Sequence, residues 1–120
     1  MTGEMVVRTS FTPIRMLVGQ KAPIALAVEV RNKGEQTRNY TVSVRVPTKF
    51  GFDTSGFVST HRVRIKAVKP GDAKDAVFNI YGKYGLKEGN YDFDILVRSH
   101  DERFDKTLDQ ASVVTSLRVV

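Results

Sequence analysis

The feature that most constrains this chain is an apolar/polar alternation of period two, broken at short intervals by turn-forming residues. In 22–31, Ile24, Leu26, Val28 and Val30 alternate with Ala25, Ala27, Glu29 and Arg31. A β-strand points successive side chains to opposite faces, so such a segment buries one face and wets the other. The pattern recurs. Segment 39–46 sets Tyr40, Val42, Val44 and Val46 against Thr41, Ser43 and Arg45, and Pro47 ends it. Segment 61–68 sets Val63, Ile65 and Ala67 against Arg62, Arg64 and Lys66. Ala76, Phe78 and Ile80 share a face in 73–81, as do Tyr91, Phe93, Ile95 and Val97 in 90–98. A Val-rich segment closes the chain at 111–120, and 5–9 and 14–18 read as short strands around Pro13.

The breaks carry turn chemistry: Asn32-Lys33-Gly34-Glu35, Pro70-Gly71, and a connection at 82–89 containing Tyr84 and Leu86. No amphipathic helix of ten or more residues is legible. The spacing of Phe104, Leu108 and Ala111 admits only a short helical turn in the polar, acidic stretch 100–110. Short turns between strands argue against a parallel sheet, whose crossovers need about a dozen residues or more. The expectation is an all-β, antiparallel sandwich of seven to eight strands in one domain, 1–120. The expected core is Leu26, Val28, Val44, Val63, Phe78, Ile80, Tyr91, Phe93 and Ile95.

Composition removes most chemistry. The chain has no cysteine, which excludes disulfides, thiolate metal sites and a Cys nucleophile. His61 and His100 are its only histidines. Ser59, His61 and Asp53 can be arranged on paper as a triad, but no nucleophile elbow or oxyanion signature accompanies them. His100, Asp101, Glu102, Asp105 and Asp109 cluster without the glycine of a Ca²⁺ loop, and Arg103 and Lys106 interleave the acids. No catalytic residue, metal or cofactor is expected, and the chain reads as a non-enzyme. No apolar run reaches the length of a membrane span, so membrane insertion is not expected. No signal peptide is visible. That fits either a cytoplasmic protein or a module excised from a secreted or cell-surface chain.

Three features remain as interaction candidates. The net charge is +6, and Arg62, Arg64 and Lys66 share one strand face, neighbours about 6.6–7 Å apart. Such a row can track phosphates, or simply protect a strand edge. The loop 50–57 holds Phe50, Phe52 and Phe57 with Gly51 and Gly56, either as a recognition loop at a sandwich tip or as a plug for the core. The final segment has no proline, lysine or glycine, and Arg118 is its only charge. Val114, Leu117 and Val120 mark it as a self-association edge, where two copies pair antiparallel as a homodimer. Asn39-Tyr40-Thr41 also fits the N-glycosylation acceptor rule.

The order of motifs resembles the CARDB-type family of immunoglobulin-like domains of archaeal and bacterial surface proteins. It runs Phe11-Thr-Pro13, Val18-Gly19, Val30-Arg-Asn32-Lys-Gly34, Pro70-Gly71, Val77-Phe78-Asn79-Ile80 and Gly89-Asn90-Tyr91 over about residues 11–98. The resemblance implies an immunoglobulin-like sandwich and a protein-binding or structural role in cell-surface or multidomain architecture. A basic sandwich that binds nucleic acid or another polyanion is the alternative. In that fold a tyrosine begins strand F and bonds back to the backbone. Tyr91 falls there, Phe93 stands in place of the antibody cysteine, and Tyr40 or Val42 fills the space of the strand C tryptophan.

Overall fold

The computed structural model describes residues 5–53, 58–101, 103–104 and 106–120. Nine strands are present among them: β1 (Met5–Thr12), β2 (Arg15–Met16), β3 (Ile24–Asn32), β4 (Arg38–Arg45), β5 (Phe50–Gly51), β6 (Thr60–Val68), β7 (Ala73–Gly82), β8 (Gly89–His100) and β9 (Thr107–Val119). They form two sheets, β1-β3-β7-β5 and β2-β9-β8-β4-β6. All pairings are antiparallel except β2 with β9. The three long strands of the first sheet and β9-β8-β4 of the second are the A-B-E and G-F-C layers of an immunoglobulin-like sandwich.

Alternation delivers the core as expected. Leu26, Val28, Val44, Phe78, Ile80, Phe93 and Ile95 are buried, while Val63 and Tyr91 are half-buried against them. The two sheets meet through aromatic rings. Phe93 on β8 lies edge-on to Phe11 of β1 (5.4 Å between centroids) and to Phe50 of β5 (5.0 Å). The Tyr91 hydroxyl donates to the Lys87 carbonyl at 2.7 Å, which is the tyrosine corner. Tyr40 and Val42, on the strand where antibody domains carry a tryptophan, are both buried in the core.

Asn32 explains the Asn-x-Gly motif at the end of β3. It is fully buried, donates to the carbonyls of Gln36 and Val68, and accepts from Gly34 N–H. Its own carbonyl accepts from Gly71 N–H. Pro70-Gly71 makes the turn, with Gly71 at φ 82° and Asp72 N–H bonded to Lys69, the geometry that requires a residue tolerant of positive φ.

Two local expectations fail. The helical turn at 104–111 is absent, because Leu108 and Ala111 lie in β9, which starts at Thr107 and pairs with β8. Phe50 does not belong to a loop, since Phe50–Gly51 pairs with Gly82 and Tyr81 of β7.

Truncation of Phe93 should cost about 3–5 kcal/mol, because it removes two ring contacts and leaves a cavity between the sheets. Urea unfolding of Phe93→Ala followed by far-ultraviolet circular dichroism measures this. A loss under about 1 kcal/mol would mean that the sheets do not meet through this ring.

Candidate functional site

The final strand presents the clearest open feature. β9 pairs with β8 along its length; on its other side, among the described residues, it pairs only with β2, at Arg118 and Val119, while β1 of the facing sheet also comes close to it without a ladder. Val120 is held there too: its N–H donates to Met16 and its carbonyl accepts from Val18 N–H. Both backbone groups of Val120 therefore face away from β8. Along a strand these groups alternate sides, so those of Ser116, Val114, Ser112 and Gln110 face the same way. Asp109 occupies the Gln110 N–H through its carboxylate at 2.8 Å. The N–H and C=O groups of Ser112, Val114 and Ser116 have no partner strand among the described residues.

The three edge residues named from sequence divide accordingly. Val114 is 61% exposed on the outer face, where it lines a shallow groove with Leu96 of β8. Leu117 is 0% exposed, so its side chain belongs to the core and not to a contact surface. Val120 is exposed, but β2 already closes its backbone edge. Sequence periodicity could place Val114 outside; it could not foresee that two residues of β2 would cover one end of the strand.

The basic row lies on the opposite edge of the same sheet. Arg62, Arg64 and Lys66 all project from the outer face of β6. Register adds a residue that the sequence alone did not assign to the row. Thr41 of β4 lies opposite both Arg64 and Arg98, so Arg98 stands one strand beyond it in the same line. The Arg64 guanidinium sits 4.7 Å from the centroid of the Phe104 ring, a cation–π contact. A bulge interrupts the β4–β6 pairing beside this row; Ala67 adopts φ 55° there and donates its N–H to Asn39 Oδ1.

The aromatic loop is corrected in part. Phe50 is 0% exposed and stacked edge-on with Tyr91 and Phe93, so it is core and not a recognition residue. Phe52 is half-buried against His61 and Phe78. Phe57 lies outside the described residues.

The polar candidates are occupied structurally. His61 sets its ring edge-on to Phe78. His100 is buried, with Nδ1 3.1 Å from the Lys106 carbonyl and Nε2 2.7 Å from the Thr41 hydroxyl. A carbonyl only accepts, so Nδ1 carries the proton in the neutral ring and Nε2 accepts from Thr41. Asn39 is buried, its amide spent on Asp101 and Ala67 backbone groups, which takes it out of reach as a glycan acceptor. Among the described residues no three His, Asp or Glu side chains group as metal ligands. No helix among them is long and apolar enough to cross a membrane.

Compared by sequence, the chain matches no family model and no curated protein. Compared by structure, it is similar to self-complemented MyfA, the major subunit of Myf fimbriae from Yersinia enterocolitica (TM-score 0.57, 15% identity, 95% of this chain and 98% of that one). It is similar to AvmM, which catalyses macrocyclization in alchivemycin A biosynthesis (TM-score 0.57, 13% identity, 98% and 89%). It also resembles a FixG-related protein from Vibrio parahaemolyticus (TM-score 0.51, 14% identity, 96% and 94%). These likenesses establish the immunoglobulin-like fold.

Thr41→Val should destabilise the domain by about 1–3 kcal/mol, since it leaves the buried Nε2 of His100 without its donor. Thermal unfolding against the parent checks this. An unchanged midpoint would mean that the imidazole finds another partner.

Proposed function

We propose that this domain is a non-enzymatic protein-binding module that works by strand pairing at the open edge of β9, with a second copy of itself as the first partner. The observation that carries the reading is the run of unpartnered backbone groups at Ser112, Val114 and Ser116. An exposed strand edge without proline or lysine templates another strand. The shape of the gap favours a like strand. Because β2 closes the edge from Arg118 onward and Asp109 takes the Gln110 N–H, the open groups run from Ser112 to Ser116, and a second copy brings the same stretch bracketed in the same way. The longest antiparallel overlap of these groups sets Val114 opposite its own copy. The one charge in 107–117 is Asp109. Antiparallel pairing about Val114 keeps the two copies of Asp109 roughly 34 Å apart, whereas in-register parallel pairing would stack them. The likeness to a major fimbrial subunit and the resemblance to CARDB-type surface modules support a structural role in assembled or multidomain architecture.

A second reading, polyanion binding, is favoured by one observation: Arg98 joins Arg62, Arg64 and Lys66 on one outer face. Retention on heparin that survives physiological salt and is lost in the Arg62→Ser, Arg64→Ser, Lys66→Ser variant would support it. The expected result is release at low salt, with the row acting as protection for the β6 edge.

Analytical ultracentrifugation at micromolar concentration tests the first reading and should show a dimer. Ser112→Pro removes an N–H that points away from β8, so the fold keeps its ladder while the partner strand loses a bond. Both Ser112→Pro and Val114→Lys should shift the protein to monomer with a far-ultraviolet spectrum like that of the parent. A parent protein that stays monomeric, with fast-exchanging amides at Ser112, Val114 and Ser116, would overturn the reading.

A further inference from the structure

One end of the sandwich combines two properties that nothing in the strand-pairing reading uses. Its surface is built from the segment after β2 and from the connection between β7 and β8. Val18, Tyr84 and Leu86 line a groove of about 680 Å³ there, with Lys21 and Lys83 at its sides. The two segments are packed on each other. A Cβ placed on Gly82 would come 2.8 Å from Leu86 Cδ2 and 3.2 Å from the sulfur of Met16, so this glycine is what allows the connection to lie against β2. The segment 47–49 joins them, with Lys83 N–H donating to the Lys49 carbonyl.

From this supported base, apolar side chains project into solvent. Tyr84 is 101% exposed, Leu17 61% and Val18 51%. Val120, bonded to Val18, adds a fourth. Apolar groups projecting from neighbouring segments are costly in water and mark an interaction site. The charge around them is predominantly positive. Residues 13–22, 47–51 and 81–88 contain Arg15, Lys21, Lys49, Lys83 and Lys87 against one acid, Glu88. Lys21 and Lys83 line the groove itself, and Lys49 Nζ reaches Gly85 of the same connection.

We propose that this tip docks on the surface of an anionic phospholipid bilayer, with Leu17, Val18 and Tyr84 entering the headgroup layer and Lys21, Lys49 and Lys83 contacting the phosphates. A bilayer surface accepts projecting side chains without needing a matching cavity, while a protein partner would have to present one to each. Tyrosine suits the interface because its ring is apolar and its hydroxyl is wet. Lysine stems lie along apolar surface and carry their charge outward to the phosphates. Cations near an anionic leaflet add attraction that decays within a Debye length. The contact is peripheral, at side-chain depth, and involves no spanning segment.

The chain has no tryptophan, so Tyr84→Trp supplies a single reporter at the tip. With vesicles of phosphatidylcholine containing roughly 30 mol% phosphatidylserine, an anionic surface of the kind that attracts basic segments, its emission should shift to the blue and be quenched by brominated acyl chains. Phosphatidylcholine vesicles alone should give neither effect. In co-sedimentation the Lys21→Gln, Lys49→Gln, Lys83→Gln variant should bind at least about tenfold more weakly, each cation contributing a factor of a few. Leu17→Ser with Val18→Ser should also weaken binding, and these exposed positions leave the fold intact. The Arg62→Ser, Arg64→Ser, Lys66→Ser variant should bind as the parent does. Absence of vesicle binding at low salt would overturn the proposal. So would binding without the emission shift, or binding lost equally through the β6 row, since either would mark a diffuse charge effect. Ser112→Pro should bind vesicles like the parent, so failure here is separable from failure of the strand-pairing reading.

Discussion

The contact on which the sandwich depends is the ring of Phe93 between Phe11 and Phe50. Phe93 belongs to the five-stranded sheet; Phe11 and Phe50 belong to the four-stranded one, at β1 and β5. Antibody domains join these layers with a disulfide. This chain has no cysteine, and three edge-to-face rings take that position. Edge-to-face pairs add about 0.5–1.5 kcal/mol each beyond the burial of their area. Phe50 has a further consequence. It can reach Phe93 only if the chain after β4 turns in and bonds to β7, so a segment composed like a loop becomes a strand of two residues. Tyr91 then closes over Phe50 and fixes the start of β8 through its bond to Lys87.

Two open sheets leave strand edges that must be managed, and the long edges of the five-stranded sheet are treated differently. At β6, three cations, a bulge and the left-handed Ala67 discourage pairing. At β9 there is no such device past Asp109, whose carboxylate takes one N–H. Protection comes instead from β2, and only at the far end. An edge guarded at both ends and bare between them differs from one guarded throughout. That contrast within one sheet is the physical basis for proposing β9, and not β6, as the partner-binding edge.

Much of this was legible in the sequence, for a reason that can be stated residue by residue. Alternation identifies which side of a strand is apolar, so the pattern alone places Leu26, Val44, Phe78 and Ile95 inside, where they are buried. The tyrosine corner and the Pro70-Gly71 turn are local patterns with local causes, and they appear where expected. The failures are non-local. Phe50 looks like a loop residue until β7 is brought beside it. Leu117 is the exception: its parity on β9, opposite to that of Val114, is a local signal and already assigns it to the core. Asn39 reads as a glycan acceptor until β6 and the Asp101 backbone close over its amide. Ser99 Oγ and Asp109 Oδ2, facing each other across β8 and β9, are buried without hydrogen-bond partners, and no sequence pattern signals that.

The two proposed surfaces constrain each other through β2. Its two residues end the open edge of β9, and the chain leaving it forms the apolar tip. The strands run along the long axis of a molecule 46 Å in length, and β9 alone spans about 43 Å at the usual rise. An antiparallel two-fold pairing of β9 points the tips of the two copies in opposite directions. One flat membrane then meets one tip of the dimer and not the other. Dimer and membrane contact are thus compatible without reinforcing each other on a single bilayer: pairing adds no second foothold there, and the free tip faces away. The same geometry lets a paired molecule span the gap between two anionic surfaces, with the β9 ladder as the joint and a basic apolar tip at each end.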